Sequence, residues 1–316
     1  MSNSVPACGL FARRFLNDEP GMRERFGDPF RPLEPECRVI QFERPLTPAQ
    51  LQRAGELVAD RPDVQLYVYF DASRDLNFLR YFPNLRRLQV ALYKLEDVSG
   101  FSAVAGSLQE IIFGKSKRTF SLRFLEAMPQ LKSLFLVGHK KDIPVVSGLT
   151  NLTSLGLSGI TLPDLSLLLP LRALQALQIF LGGTTNLSHL PRLRALEDLA
   201  LMRITKLSDL SVLADLLGLT KLKLDWMRNV TSLPSFARHA RLEDVTLSTM
   251  KGLTDLSPAA AAPALRALMV DGMPQLTAES FRCLVGHPRL QELWLYTPSA
   301  KVREAVERML PGIVRR

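Results

Sequence analysis

The sequence predicts an α/β solenoid, a stack of short strand-and-turn units, and three observations carry that prediction. The first is a repeat. The pattern L-x-x-L-x-L, with Ile or Val allowed, starts at Leu85, Leu108, Leu131, Leu152, Leu174, Leu196, Leu219, Leu242, Leu265 and Leu290. Successive starts lie 23, 23, 21, 22, 22, 23, 23, 23 and 25 residues apart, the mark of one supersecondary unit copied many times. The second is a companion motif, Leu-x-Asp-Leu-Ser or a close variant, at Leu95–Ser99, Leu162–Ser166, Leu207–Ser211 and Leu253–Ser257. Asp and Ser there suit a turn or the start of a short helix, because their side chains satisfy free backbone N–H groups. The third is composition: 47% of residues are apolar but only 7% aromatic, so the core is aliphatic.

Taken in chain order, residues 1–36 are polar, Arg-rich and Pro-rich without a sustained period, and read as an irregular arm. Residues 37–84 read as an N-terminal cap and degenerate repeat. Within them Arg38–Phe42 is strand-like, and Thr47-Pro48 opens a helix to about Asp60, with Thr as N-cap and Pro at the first helical position. Val64–Phe70 is a further strand, 21 residues before Leu85. Residues 85–297 hold about ten repeats. Thr277 can cap a helix running to about Val285. Residues 298–316 read as a capping helix and tail, since Val302, Ala305, Val306, Met309 and Leu310 share one face at helical spacing and a solenoid end needs covering.

These units resemble the leucine-rich repeats of bacterial internalin-type proteins, about 22 residues each, with a last repeat, Leu276–Phe281, closer to the ribonuclease-inhibitor type. The resemblance implies a right-handed coil in a horseshoe or arc. It places a parallel sheet on the concave side and turns or short helices on the convex side. One departure stands out. The family's ninth repeat position is usually Asn, whereas here it is Tyr93, Ser116, His139, Ile160, Gly182, Ile204, Met227, Met250, Met273 and Pro298. Most of these are apolar and expected to point inward, so the backbone groups that Asn would satisfy must find other partners.

Side chains alternate along a strand, so in L-x-x-L-x-L-x the third, fifth and seventh residues face outward. Those columns hold large apolar residues where a purely structural surface would carry polar ones: Phe135, Val137, Phe180, Met202, Met269, Trp294 and Tyr296. They also hold Lys221, Lys223, Asp225 and Asp271, with Trp226 one step beyond the strand. Exposed apolar patches mark partner surfaces, and Trp, Tyr and Arg dominate interface energetics. Trp294 and Tyr296 could equally pack under the C-terminal helix. A second feature is a basic rim, Lys94, Lys117, Lys140, Arg203, Arg228 and Lys251, in which few aromatics interleave.

The function expected is non-catalytic recognition of a protein partner across the concave face. The alternatives are a basic-rim binder of nucleic acid or another acidic polyanion, and, from the resemblance, a secreted bacterial effector acting on host proteins. No catalytic residue, metal site or cofactor is expected. His139, His189, His239 and His287 have no Cys or carboxylate at ligand spacing and read as surface scatter. Cys8, Cys37 and Cys283 are odd in number and widely spaced. Net charge is +9, from 40 Lys and Arg against 31 Asp and Glu, a mild excess that favours acidic partners. No run reaches the roughly 18 apolar residues of a membrane helix, and the first residues lack a signal peptide's apolar stretch. The setting expected is cytoplasmic, with secretion lacking a cleaved signal as the other route.

Overall fold

The computed structural model describes residues 12–16 and 28–315 and falls into two compact units, Met1–Leu152 and Thr153–Arg316. Each is a leucine-rich-repeat solenoid. In the first, six strands follow in chain order: β1 (Ala12–Phe15), β2 (Cys37–Phe42), β3 (Gln65–Tyr69), β4 (Arg87–Ala91), β5 (Glu110–Phe113) and β6 (Ser133–Val137). Each runs parallel to the next. The second unit repeats the plan with β7 (Ser154–Ser158), β8 (Ala176–Phe180), β9 (Asp198–Met202), β10 (Lys221–Asp225), β11 (Asp244–Ser248), β12 (Ala267–Asp271), β13 (Glu292–Tyr296) and β14 (Val314–Arg315). Strand β1 lies within the segment read as an irregular arm. Residues 1–11, with Cys8, and residues 17–27 of that arm lie outside the described residues.

Every repeat strand buries its two inward apolar positions, and most alternate cleanly; in β7, β9 and β11 small outward residues, Gly156, Ser158, Ala200 and Ser248, are buried as well. In β12, Leu268 and Val270 are buried while Ala267, Met269 and Asp271 are half-exposed. Burying one such aliphatic side chain contributes about 2 kcal/mol, and the same inward positions recur coil after coil, so stability accumulates by repetition. The companion motif starts short 3-10 or single-turn helices. Its Asp accepts the N–H two residues on: Ser99 N to Asp97 Oδ1 at 2.9 Å, and Ser166, Ser211 and Ser257 N to Asp164, Asp209 and Asp255 Oδ1 at 2.8 Å each. The serine hydroxyl first and this N–H second hold the carboxyls of Asp97 and Asp164 below the usual carboxylate range, and the Ser211 N–H with its hydroxyl does the same for Asp209.

The end elements follow the same logic. Helix α1 (Pro48–Val58) carries a capping box, Gln50 N donating to Thr47 Oγ1 at 3.3 Å and Thr47 N to Gln50 Oε1 at 2.9 Å. After a single turn, α2 (Ser257–Ala260), the last repeat brings a 3-10 helix, Ala278–Leu284, where an α-helix was expected. Its Thr277–Ser280 box is present. Helix α3 (Ala300–Met309) is capped by Ser299, buries Val306 and packs on that 3-10 helix. Strand β14, unforeseen, then pairs with β13 and sets Arg315 beside Trp294.

The missing Asn column has several substitutes. Ile160, Ile204, Met227, Met250 and Met273 turn inward as expected and are buried. Tyr93 does not: it is exposed. Carbonyls of one coil are met by side chains of the next. Gln130 Nε2 donates to Ala105 O and Leu108 O at 2.5 and 3.0 Å, and Gln275 Nε2 to Met250 O and Leu253 O at 2.7 and 2.8 Å.

Three histidines act likewise, which corrects the reading of them as surface scatter. His139, His239 and His287 each place Nε2 3.0 Å from a carbonyl of the preceding coil, Gly114 O, Leu213 O and Ala262 O. A carbonyl can only accept, so Nε2 bears the proton and Nδ1 is left as an acceptor. His139 Nδ1 takes Phe120 N–H at 3.4 Å, while His239 Nδ1 is buried and has no partner. His139 and His239 are both buried in the core, the first stacked on Phe113 with ring centroids 4.0 Å apart. Burial pushes both imidazoles below their ordinary value of 6.5.

A histidine that resists protonation when folded makes the unfolded chain bind more protons, so stability is full above pH 6.5 and falls as pH drops toward the folded value. Urea midpoints at pH 7.5 and 5.5 should therefore differ, the lower pH being the weaker. The double variant His139→Gln/His239→Gln, which keeps a donor at each carbonyl, should narrow that difference; an unchanged difference would remove these histidines as its cause.

Candidate functional site

In the second unit the strands end on a run of left-handed residues. Gly159, Leu181, Arg203, Trp226, Thr249 and Gly272, all at repeat position eight, have φ of 66°, 52°, 56°, 55°, 52° and 61°. The sequence makes this turn because the N–H there reaches sideways to the next coil. Gly159 N donates to Phe180 O at 2.8 Å, Leu181 N to Met202 O at 3.0 Å, Arg203 N to Asp225 O at 2.9 Å, Trp226 N to Ser248 O at 3.0 Å, and Thr249 N to Asp271 O at 2.8 Å. Glycine takes this conformation freely, whereas other residues are held in it at roughly 1–3 kcal/mol each. Four consecutive coils nonetheless carry side chains there, and one is tryptophan.

Two guanidinium groups lie over the Trp226 ring. The Arg203 guanidinium lies 4.7 Å from its ring centroid and that of Arg228 5.6 Å, within cation–π range. Among the described residues neither arginine has a carboxylate partner, and neither do Lys206 and Lys251 on the same edge. Other arginines of the unit do, among them Arg241 with Glu197 at 2.8 Å and Arg282 with Glu279 at 2.7 Å. Arg203, Lys206, Arg228 and Lys251 are all exposed.

Next to the tryptophan, Asp225 ends β10 with its Oδ1 buried and, among the described residues, without a hydrogen-bond partner. Burial is the main influence that raises its carboxyl above the usual range, and Asp271 adds to it, against the lowering effects of the Ser248 hydroxyl, Lys223 and Arg203. On the row below, Lys221 registers between Asp198 and Asp244. Asp198 is raised too, by burial first and Asp244 next, offset by Lys221 and Lys223. Between these rows Lys223 registers with Ala200 and Thr246 and is exposed. This part of the sheet thus keeps charge half-buried on a mixed-sign surface.

The other expected site residues take these places. Phe180 and Met202 end β8 and β9 and are half-exposed, level with Asp225 in register. Met269 and Asp271 lie on β12, and Ser248 Oγ donates to Asp271 Oδ2 at 3.2 Å. Trp294 is half-buried on β13 with Nε1 3.3 Å from Glu292 Oε2, and Tyr296 is 43% exposed, so the latter is not covered by the C-terminal helix. Phe135 and Val137 belong to β6 of the first unit, half-exposed on the sheet face. Of the basic rim, Lys94 is within 3.1 Å of Asp71, while Lys117 and Lys140 are exposed in the first unit.

Sequence reasoning missed the left-handed column. The signal was present: Gly138, Gly159 and Gly272 share position eight, which marks Leu181, Arg203, Trp226 and Thr249 as residues standing where glycine is easiest. Among the described residues, no group of three His, Cys, Asp or Glu side chains is placed to hold a metal ion, and no helix is long and apolar enough to cross a membrane.

No protein-family profile and no curated protein matches the chain. Solved structures do. An internalin of Listeria monocytogenes is 18% identical, with a TM-score of 0.56 over 87% of this chain and 79% of that one. A leucine-rich-repeat protein of Leptospira interrogans is 15% identical, with a TM-score of 0.53 over 90% and 93%. The mouse RP105/MD-1 complex matches at 18% identity and a TM-score of 0.56, over 88% of this chain and 51% of that chain. At such identities the likeness is one of fold, and it agrees with the leucine-rich-repeat solenoid that the repeats predict.

Proposed function

We propose that this chain is a non-catalytic recognition scaffold that binds a protein partner along the strand-end edge of its second unit, from Phe180 to Asp271. The observation that carries the reading is the coincidence at Asp225–Trp226 of three costs that a purely structural edge would shed. These are a bulky residue held at positive φ, a carboxylate raised by burial, and a buried oxygen with no donor. Unsatisfied groups and backbone strain of this kind collect where a site is held ready for a ligand. The flanking residues suit a protein surface: apolar Phe180, Met202 and Met269 beside charges of both signs, where a phosphate backbone would call for one sign. The mouse RP105/MD-1 complex supports the use of this fold for holding a second protein.

Asp225→Asn tests the reading. A carboxyl raised in the fold is most stabilising when protonated at low pH and loses that contribution as pH rises through its folded value. The amide should therefore raise stability at pH 7, by about 1 kcal/mol, in a thermal or urea melt. The same substitution should reduce capture of the partner from a lysate of the source cell at about 0.15 M salt. A variant that is more stable and binds as well as the native chain would show that the carboxylate serves no partner.

A further inference from the structure

The turn edge of the first unit carries a surface of different chemistry. Phe70 is 68% exposed and sits at φ 65°, and Tyr93, one coil on, is 56% exposed. Phe70 belongs to a ledge of rings: Tyr67 and Tyr69 stack at 5.1 Å, and Tyr69 meets Phe70 edge-on at 5.8 Å. That leaves much of the Phe70 ring in water. The loops here climb in step. Phe70 N donates to Ala91 O at 3.2 Å, Lys117 N to Tyr93 O at 2.7 Å and Leu122 N to Lys141 O at 3.0 Å, so neighbouring loops follow at about the 4.8 Å spacing of strands.

Beyond the rings, the next two loops present Lys115, Lys117, Arg118, Lys140 and Lys141, all exposed. Among the described residues none of the five is in an ion pair. Several other cations of the unit are neutralised within 4 Å, among them Lys94 by Asp71 at 3.1 Å, Arg74 by Glu96 at 2.9 Å and Arg87 by Glu110 at 2.8 Å. One edge therefore offers open aromatic faces followed, coil by coil, by unpaired positive charge.

An acidic polypeptide answers the cations but leaves the two rings uncovered unless apolar side chains are spaced among its carboxylates. A duplex keeps its bases stacked inside. A chain alternating flat bases with phosphates answers both features, because stacking on aromatics and neutralisation by cations are the two parts of single-strand binding. We propose that this edge binds single-stranded nucleic acid, with bases on Phe70 and Tyr93 and phosphates along the cations from Lys115 to Lys141. It is a second activity, independent of the partner surface on the other unit.

The probe is a fluorescein-labelled dT20, titrated with the full chain by anisotropy from about 50 to 200 mM salt. Five neutralised phosphates should give log K a slope of about −3.5 against log salt, roughly a 100-fold loss over that range. Phe70→Gly and Tyr93→Ser should each weaken binding roughly 5- to 100-fold with the slope kept. Lys115→Ser/Lys117→Ser should flatten the slope by about 1.4. Trp226→Gly should bind dT20 as the native chain does, which separates this surface from the partner edge. Melting curves of each variant confirm that the fold is intact. No binding near 50 mM salt would overturn the proposal. So would binding indifferent to both ring variants, with polyaspartate competing as well as dT20, or capture by phosphatidylserine vesicles that displaces dT20 through the same rings.

Discussion

Gly55→Ala is expected to destabilise the first unit by about 3 kcal/mol, the opposite of what helix propensity alone indicates. Gly55 lies inside α1, where alanine normally gains about 1 kcal/mol over glycine. A Cβ there would stand 1.9 Å from the Tyr81 carbonyl oxygen and 3.1 Å from its carbon. The obstacle is backbone of the next coil, so no rotamer change relieves it, and over-packing against fixed atoms is penalised accordingly. Gly100, two coils later, meets the same intervening coil from its other side, its Cβ position 2.2 Å from Leu76 O. Gly148, with nothing within 4 Å of its Cβ position, is the control. Urea melts should show Gly55→Ala shifted far down and Gly148→Ala close to the native chain. Near-equal midpoints would mean that α1 does not lie on the Tyr81 turn.

Trp226→Gly is expected to act in opposite directions on stability and binding. Glycine relieves the positive φ of 55° but removes the ring that Arg203 and Arg228 lie over, so thermal stability should stay level or rise. Partner affinity should fall by about 2–4 kcal/mol, roughly 30- to 1,000-fold, the range of a buried aromatic anchor. Equal affinity in the glycine variant would place the partner elsewhere. A variant that fails to fold would instead assign the tryptophan a structural role.

The fold was legible because its signal is periodic. Leucines at a spacing of 21 to 25 residues fix where each strand lies and which face it buries, and the Asp of each companion motif foretells the turn that opens its short helix. What escaped was set by contacts between coils, which no single repeat contains. The role of His139 depends on a carbonyl 25 residues earlier, and a histidine reads alike in sequence whether it lies in water or closes a backbone bond. Strand β14 is two residues long and carries no period of its own. In the candidate site, the outward columns could be written down from alternation, so Phe180, Lys223 and Asp225 were in view. The Arg203–Trp226–Arg228 stack was not, because those residues lie past the strands, where the backbone leaves the alternation rule. The inward turn expected of most ninth-position residues holds for the isoleucines and methionines, whose side chains the core can accept, and Tyr93 is exposed.

The most direct test of the central claim is site-specific crosslinking. Benzoylphenylalanine in place of Trp226, and separately in place of exposed Arg238, should be irradiated in source-cell lysate and the adducts compared. Recognition through the strand-end edge requires a discrete protein adduct from position 226 and none of the same mass from position 238. Adducts of equal yield at both positions, or a discrete one at 238 alone, would contradict it.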